Sequence, residues 1–291
     1  MLTSTSNPTV KHLVKLRDNR ARRRAGRILV DGWRELDQAL RAGLTPLGIY
    51  VCGESSIAID SSFDTTGNRR IADATHGQEG AEDLHDRLPP AVRDTLVTVS
   101  DAVMKKIAYG QSARGVVAEF QAPRWGLGDL RLGESGLILV LDRFEKPGNV
   151  GAAFRCADAA GADAVILTPS TADRFNPNAI RSSLGAVFSV PSAVADEDQA
   201  KAWLAAEGFR LWAARVETSR VIWEADLTGR VAMIIGSEAD GLGDHWCSDE
   251  IATVESLRIP MAGDVDSLNA SVSAALFLFE ATRQRTEIAK R

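Results

Sequence analysis

Apolar and polar positions alternate regularly from residue 137 to about residue 283. Short apolar runs, rich in β-branched residues, predict strands at 137–141, 163–168, 209–214 and 231–235. Patterns with helical spacing predict helices over 149–160, 177–184 and 196–207, and a last, largely apolar helix over 268–283. Strands and helices that alternate in this way predict an α/β fold with a largely parallel sheet covered on both faces.

The first 125 residues carry a second, smaller α/β pattern. Asn7 followed by Pro8 predicts the start of a helix. Strands are predicted at 28–30, 47–52, 96–100 and 116–120. Helices are predicted over 33–42 and 101–108, the second with Ser100 as its cap.

Two segments interrupt these patterns. Residues 53–90 are poor in apolar residues and rich in Ser, Thr, Gly and Asp, which predicts a long, partly mobile excursion. Residues 121–136 have the Pro and Gly content of a domain boundary. We therefore expect an N-terminal domain at 1–125, a linker at 126–136 and a second domain at 137–291.

Composition narrows the class of protein. Of the 291 residues, 45% are apolar and 25% are charged, as in globular proteins with a sizeable core. The chain has no apolar run as long as a membrane span, and its basic start does not resemble a signal peptide. Cys52, Cys156 and Cys247 are widely spaced and odd in number, which argues against a disulfide framework and a CxxC metal site. We expect a cytoplasmic protein that binds no metal.

The net charge of −5 hides an uneven distribution. Residues 1–27 hold eight basic residues and one acidic residue, so this segment carries +7 and the remainder −12. A basic arm on an acidic body is typical of proteins that bind a polyanion, with an affinity that falls steeply with salt. The alternative is an arginine-rich helix face that is simply solvated.

The loop at 146–155 follows the first predicted strand of the second domain. Asn149 lies where a helix N-cap is expected, and Gly151 allows another backbone to approach closely. Arg155 lies near the positive end of the helix dipole, which an anionic ligand beside it would explain. The structural alternative is that Asn149 only caps the helix and Arg155 forms a surface ion pair.

Two later loops also follow predicted strands. Ser237 and Glu238 lie just after the strand that ends near Gly236, where ligands bind in open α/β sheets. Ser267 is a good N-cap for the last helix. Asn269 then lies inside that helix, where Asn is unfavourable, so capping alone explains it poorly. The alternative interpretation is an ordinary polar turn for Ser237 and Glu238, and simple helix capping for Ser267.

Taken together, the three loops resemble the motifs of the SpoU family of RNA ribose 2′-O-methyltransferases, within the knotted SPOUT class. The first motif, Asn-x-Gly-x-x-x-Arg-x-Ala, is matched by Asn149, Gly151, Arg155 and Ala157. The second, Gly-x-Glu-x-x-Gly-Leu, is matched by Gly236, Glu238, Gly241 and Leu242. The third, Ile-Pro-Met-x-Gly followed by Ser-Leu-Asn, is matched by Ile259, Pro260, Met261, Gly263, Ser267, Leu268 and Asn269.

The N-terminal part resembles the ribosomal-protein-like substrate-binding module of family members that act on rRNA. Members that modify tRNA and have only short terminal extensions do not share this layout, so the resemblance favours rRNA, and 23S rRNA in particular, as the substrate. The residues that we expect to contact RNA are Lys11, Lys15, Arg22, Arg23, Arg24 and Arg27.

The resemblance also implies a cofactor, a topology and a partner. The cofactor would be S-adenosylmethionine, held by Gly236, Ser237, Glu238, Gly241, Ile259, Met261, Leu268 and Asn269. The C-terminal segment would pass through a preceding loop to form a trefoil knot. The chain would form a homodimer through helices that include the last one, with its apolar residues 276–279 buried there.

In the implied reaction, a ribose 2′-oxygen attacks the methyl group of the cofactor. Asn149, Glu238, Ser267 and Asn269 would position the ribose, although Glu238 has the alternative role of fixing loop conformation. The family's favoured proposal makes Arg155 the general base, but a guanidinium stays protonated, with a pKa above about 12. We expect Arg155 to grip a phosphate and polarise the 2′-hydroxyl. Proton removal by Arg155 requires a dry site that lowers its pKa.

Two other classes of protein are alternatives to this interpretation. A nicotinamide-dependent oxidoreductase requires a glycine triplet and an acidic residue about 20 residues later, and residues 137–167 have no such triplet. A non-catalytic RNA-binding member of the fold remains an alternative, as does an enzyme that acts on tRNA.

Overall fold

The computed structural model describes residues 1–52, 88, 90–110, 114–169, 172–238 and 240–289. These residues form two compact units. The first unit consists of Met1–Pro123 and Phe175–Ser189, and the second of Arg124–Arg174 and Val190–Arg291. The excursion predicted at 53–90 lies almost entirely outside the described residues. Within these residues, no helix is long and apolar enough to cross a membrane.

The first unit is built on a four-stranded sheet with strand order β1-β4-β2-β3. Strand β4 is antiparallel to both β1 and β2, whereas β3 is parallel to β2. All four predicted strands of this unit are confirmed, with bounds Arg27–Asp31 (β1), Pro46–Cys52 (β2), Leu96–Val99 (β3) and Val116–Gln121 (β4).

Helices cover this sheet. Asn7 caps the first helix by accepting a hydrogen bond from the Thr9 amide, and Ser100 caps another from the Val103 amide, as predicted. The apolar stripe of the first helix is buried at Val10 and Leu13. The helices among the described residues of this unit are Pro8–Lys15, Asn19–Ala25, Trp33–Arg41, Asp101–Ile107, Pro177–Ser182 and Ala186–Ser189, with a 3-10 helix at Pro90–Thr95.

The second unit contains a six-stranded, fully parallel sheet with strand order β10-β8-β9-β5-β6-β7. The central strands are buried along their whole length, which confirms the parallel sheet predicted from the apolar runs. The apolar pattern missed β7, which has only three residues. The strand expected before the third candidate loop is β10, which has four residues and ends at Leu257. The strands are Leu137–Leu141 (β5), Ala164–Leu167 (β6), Ser192–Val194 (β7), Arg210–Ala214 (β8), Val231–Ile235 (β9) and Val254–Leu257 (β10).

Three helices of the second unit are Pro147–Ala160, Glu197–Ala206 and Ala270–Ala289. We call the first the site helix and the last the C-terminal helix, and these two pack against each other. Short 3-10 turns lie at Leu127–Asp129, Ile222–Glu224 and Asp244–Trp246. The predicted linker is partly integrated here, because Leu130 is buried in the core of this unit.

Both helix starts at the candidate loops differ from the prediction. The site helix begins at Pro147 with Lys146 as its cap, because Pro at the first position has no amide to satisfy. Asn149 is therefore inside the first turn and does not cap. In the C-terminal helix Asn269, and not Ser267, is the cap: its Oδ1 accepts a hydrogen bond from the Ser271 amide at 3.0 Å.

The C-terminal helix is also longer than predicted and only partly exposed. It continues to Ala289 instead of ending near residue 283. Of the predicted apolar face, Phe277 and Leu278 are buried in this unit, whereas Leu276 and Phe279 are 37% and 49% exposed. The apolar run thus serves the core on one side of the helix and leaves the other side uncovered in the single chain.

One predicted RNA contact is instead structural. Arg22 is only 2% exposed, and its Nη1 donates to the carbonyl oxygens of Leu16 and Arg17 at 3.0 and 2.8 Å. These carbonyls lie at the end of the first helix, where intrahelical partners are lacking. The side chain therefore ties the first two helices together and is not available to a polyanion.

The buried position of Arg22 leads to a prediction about stability. Arg22→Met should lower the free energy of unfolding by about 1–3 kcal/mol, because one buried and one partly buried carbonyl lose their donor. Arg23→Met, at an exposed neighbour in the same helix, should change it by less than about 0.5 kcal/mol. Urea unfolding of the two variants measures the difference, and equal effects would contradict the structural role of Arg22.

Candidate active site

Glu238 is the centre of a polar cluster at the edge of the parallel sheet. Its Oε1 accepts hydrogen bonds from Asn149 Nδ2 at 2.7 Å and from Asn269 Nδ2. Its Oε2 is ion-paired with Lys146 Nζ. Residues from all three sequence motifs therefore meet at one carboxylate.

The parallel sheet explains why they meet. Lys146 and Asn149 follow β5, and Glu238 follows β9, which is paired with β5 over its whole length. Carboxyl ends of parallel strands lie at the same edge of a sheet, where ligands commonly bind. Asn269 reaches the same edge because it starts the helix that packs against the site helix.

The charge of Glu238 is stabilised in this cluster. The hydrogen bond from Lys146 is the largest cause of a pKa below the usual range, and the Asn149 amide adds to it. The side chain is 22% exposed. An ionised carboxylate whose oxygens already have donors is suited to fixing its neighbours and is poorly suited to taking a proton.

The cap geometry orients Asn269. Its Oδ1 accepts from both the backbone amide and the hydroxyl of Ser271, at 3.0 and 2.6 Å. Its Nδ2 is left to face Glu238. The side chain thus caps the C-terminal helix and also donates a hydrogen bond to Glu238, which explains why an Asn is found at this position.

Arg155 does not join the cluster. It lies within the site helix, six residues beyond Asn149, and is exposed. Within the described part of the chain, no hydrogen bond or ion pair engages its guanidinium. Ser267 is likewise exposed and lines the neighbouring cavity. The contacts of the described residues include none between Ser267 and Glu238.

A cavity of about 350 Å³ adjoins the cluster. This volume is within the range of small-molecule sites. Seven of the eight predicted cofactor residues line it; Asn269 does not. The seven are Gly236, Ser237, Glu238, Gly241, Ile259, Met261 and Leu268.

Two glycines shape the wall of this cavity. A Cβ on Gly236 would run into the backbone of Gly241 and come within 2.6 Å of the Leu242 nitrogen, so only glycine fits there. Gly241 has a φ of +63°, and its amide donates to the Ser237 carbonyl at 3.1 Å to close a tight turn. The backbone of this loop therefore lies directly against the cavity.

Sequence reasoning missed two basic residues of this site. Arg215 directly follows β8, lines the cavity, and donates to the carbonyls of Leu242 and Gly243 at 3.0 and 2.9 Å. Its place just after a predicted strand was the signal that could have found it. Lys146 lies in the first candidate loop itself, but its pairing with Glu238 is a tertiary contact.

A buried lysine supports the segment at 242–249, which also accepts the hydrogen bonds from Arg215. Lys201 is 1% exposed and donates to the Cys247 carbonyl and to Asp249 Oδ2, both at 2.6 Å. Together with Arg215, it supplies donors to a segment that has only one short 3-10 turn. Two cations thus hold the segment that continues from the cavity wall.

Asp142, Glu197 and His245 bring possible metal-ligand atoms within 4.8 Å of one another. Asp142 is fully buried, and its carboxylate accepts from the Thr168 hydroxyl at 2.8 Å. Arg143 Nε lies 3.4 Å from the other oxygen. Because a guanidinium at this distance opposes a cation, the group is better explained as a network that satisfies a buried carboxylate.

The other predicted RNA contacts lie in the first unit. Lys11, Lys15, Arg23 and Arg24 are exposed. Arg27 is half-buried and is engaged by Gln121 and by Glu119, the latter at 3.5 Å. The exposed basic surface of this segment is therefore smaller than its sequence suggests.

A parallel sheet with a polar cluster and a cavity at the carboxyl ends of its strands is typical of α/β proteins that bind a small-molecule ligand there. Comparison with known families makes this specific. The model of the SpoU rRNA Methylase family matches residues 136–279, and the MRM3-like substrate binding domain matches residues 7–118. The chain belongs to the SpoU rRNA methylase family, as its three motifs predict.

Individual relatives agree with this assignment. The chain is 37% identical over 198 residues to the 23S rRNA (guanosine-2′-O-)-methyltransferase RlmB of Xylella fastidiosa, covering 65% of this chain and 77% of that protein. It is 30% identical to an uncharacterized tRNA/rRNA methyltransferase of Synechocystis, covering 98% and 94% of the two chains.

Solved structures are similar over nearly the whole chain. The SpoU methyltransferase AviRb from Streptomyces viridochromogenes, in complex with AdoMet, has a TM-score of 0.80 at 26% identity, over 96% of this chain and 98% of that one. The crystal structure of an RNA 2′-O ribose methyltransferase has a TM-score of 0.76 at 35% identity, over 98% and 99%. Both units thus have counterparts in such proteins.

The lowered pKa of Glu238 predicts a pH-dependent contribution to stability. The contribution is present above the carboxyl's unfolded pKa and is lost as the pH falls through the lower folded value. Glu238→Gln should therefore cost about 0–1 kcal/mol at pH 7, as for partly exposed ion pairs, and this cost should shrink as the pH falls through the folded pKa of Glu238. Urea unfolding of both proteins over a series of pH values measures this, and a cost that does not decrease toward acid pH would contradict it.

Proposed function

We propose that this chain transfers the methyl group of S-adenosylmethionine to a ribose 2′-hydroxyl of RNA, most favourably of 23S rRNA. The observation that carries the proposal is the convergence of Asn149, Glu238 and Asn269 beside a cavity lined by seven predicted cofactor residues. Relatives named as 23S rRNA 2′-O-methyltransferases support the substrate. An rRNA substrate also favours the cytoplasm as the location.

The cavity fits the cofactor in size and chemistry. Ile235, Leu257 and Phe277 supply apolar surface, and the turn at Gly236 to Gly241 brings backbone groups to its wall. When bound, S-adenosylmethionine supplies an electrophilic methyl group. Gly236, Ile259, Met261 and Leu268 are the residues that we propose hold it.

The polar cluster is the proposed acceptor site. Glu238 orients the Asn149 amide, and Asn149 and Ser267 position the ribose. Arg155, exposed and without a described ion-pair partner, grips an RNA phosphate and polarises the 2′-hydroxyl. Its solvent-exposed position favours this role over that of a general base.

The arrangement of domains is part of the proposal. Residues 1–125 bind RNA through the exposed Lys11, Lys15, Arg23 and Arg24, residues 126–136 connect, and residues 137–291 carry the methyltransferase. The similarity of residues 7–118 to a substrate-binding domain supports this division. Residues 175–189 lie outside the proposed range 1–125, although they cluster with the first unit.

Two further features belong to the proposal. The C-terminal segment forms the trefoil knot of the SPOUT class. The chain forms a homodimer through the C-terminal helix, where Val272, Leu276 and Phe279 are 47%, 37% and 49% exposed at helical spacing on one face. Burial of this apolar stripe favours association.

Labelled S-adenosylmethionine with separated rRNA and tRNA pools tests the function. Transfer to rRNA, followed by mapping of the methylated ribose, is the expected result. The name of the Synechocystis relative keeps tRNA as the second candidate. Transfer to tRNA alone would establish that alternative, and cofactor binding without transfer would indicate a non-catalytic RNA-binding protein.

Arg155→Ala should abolish methyl transfer and leave the affinity for S-adenosylmethionine within about threefold, because the side chain does not line the cavity. Transfer assays and a cofactor titration on one preparation measure both. Loss of cofactor binding would overturn this division of roles.

Gly236→Ala should lower the affinity for S-adenosylmethionine by more than about tenfold and destabilise the fold by about 1–3 kcal/mol, because the new Cβ displaces the Gly241 backbone. Gly133→Ala is the matched control, since nothing lies within 4 Å of its Cβ position. Calorimetric titration and thermal unfolding report the two effects. Equal behaviour of the variants would refute the packing argument.

A further inference from the structure

Lys146 contacts the Glu238 carboxylate differently from the two amides. Its ammonium group pairs with Oε2, whereas Asn149 and Asn269 both donate to Oε1. Each carboxylate oxygen therefore has its own donor set. Lys146 itself is 71% exposed, so this surface pair contributes little to folding.

The donors to Oε1 determine which way the Asn149 amide faces. Because the Nδ2 of Asn149 donates to Glu238, the Oδ1 of Asn149 points away from Glu238 and can accept a hydrogen bond from another group. Asn269 Nδ2 approaches this oxygen at 3.4 Å, a long hydrogen bond, whereas the Oδ1 of Asn269 is fully used by Ser271. Of the two amides, Asn149 is the one that keeps an acceptor for an incoming hydroxyl.

A second, smaller cavity of about 50 Å³ lies at this position. Lys146 and Asn149 line it, and Ser237, Glu238 and Ala270 line both this cavity and the larger one. Its volume is enough for a hydroxyl-sized group. An acceptor hydroxyl there would have Asn149 beside it and the proposed cofactor cavity next to it.

We propose that Lys146 is a positioning residue for methyl transfer. Its ion pair holds the Glu238 carboxylate in place, and Glu238 orients the Asn149 amide so that Asn149 Oδ1 faces the ribose 2′-hydroxyl. The inference rests on the proposed function. It assigns a role to a residue that none of the three motifs includes.

The pH dependence of the reaction distinguishes this role from simple packing. Lys146 is the largest cause of the low pKa of Glu238. The other charged residues that line the cavities beside Glu238 are Glu145 in the smaller cavity and Arg215, Glu217, Asp240 and Arg258 in the larger one. Without Lys146 the pKa of Glu238 rises, and a protonated carboxyl no longer accepts from both amides. The loss of activity on the acid side should then begin at a higher pH.

Lys146→Met should lower kcat by about 10- to 100-fold, the cost of misplacing a positioned group, and move the acid limb of the pH profile upward. Affinity for S-adenosylmethionine and the melting temperature should stay unchanged. Lys146→Arg, which keeps the charge, should restore the pH profile and most of the activity. Lys105→Met removes an exposed lysine paired with Asp101 at 2.6 Å and serves as the control.

A Lys146→Met variant with the wild-type kcat and pH profile overturns the inference. So does a loss of kcat in which the acid limb stays in place and Lys146→Arg gives no rescue, since Lys146 would then act in another way. Should Lys146→Met fail to fold, the same profile is measured on Lys146→Gln, with the same outcomes. If the wild type methylates no RNA, the proposed function itself fails, so the two failures are distinct.

Discussion

The site depends on one constraint: a carboxylate at the edge of a parallel sheet needs donors, and separate loops must supply them. Glu238 stands just after β9, and its partners come from the loop after β5 and from the start of the C-terminal helix. A carboxylate held by three side-chain donors fixes the three segments relative to one another. The orientation of each amide follows from this arrangement.

The cavity beside the cluster depends on a second close approach, between backbones. Gly236 leaves no room for a Cβ because the Gly241 backbone lies against it. The irregular segment that follows is held by the guanidinium of Arg215 and the buried ammonium of Lys201. Rigid support for loops that carry function is what a ligand site at a sheet edge requires.

Residues 175–189 belong to the methylase part of the sequence but to the first unit of the structure. Arg181 Nη1 donates to the Tyr109 carbonyl at 2.7 Å, and the Cβ position of Gly185 lies 2.7 Å from the side chain of Gln38. The chain therefore crosses from one unit to the other three times, once at each boundary.

The sequence by itself determined the α/β class, the parallel sheet and the family, because buried strands and motif spacing are local or ordered features of the chain. It also predicted Asn149, Glu238 and Asn269 as site residues, and the structure brings these three side chains into contact. Only the tertiary structure decided that Arg22 is buried, that Lys146 pairs with Glu238, and that Asn269 rather than Ser267 caps the last helix. These are contacts between segments, or competitions between neighbouring caps, and a one-dimensional pattern of polarity does not distinguish a charge that faces solvent from one that satisfies a buried carbonyl.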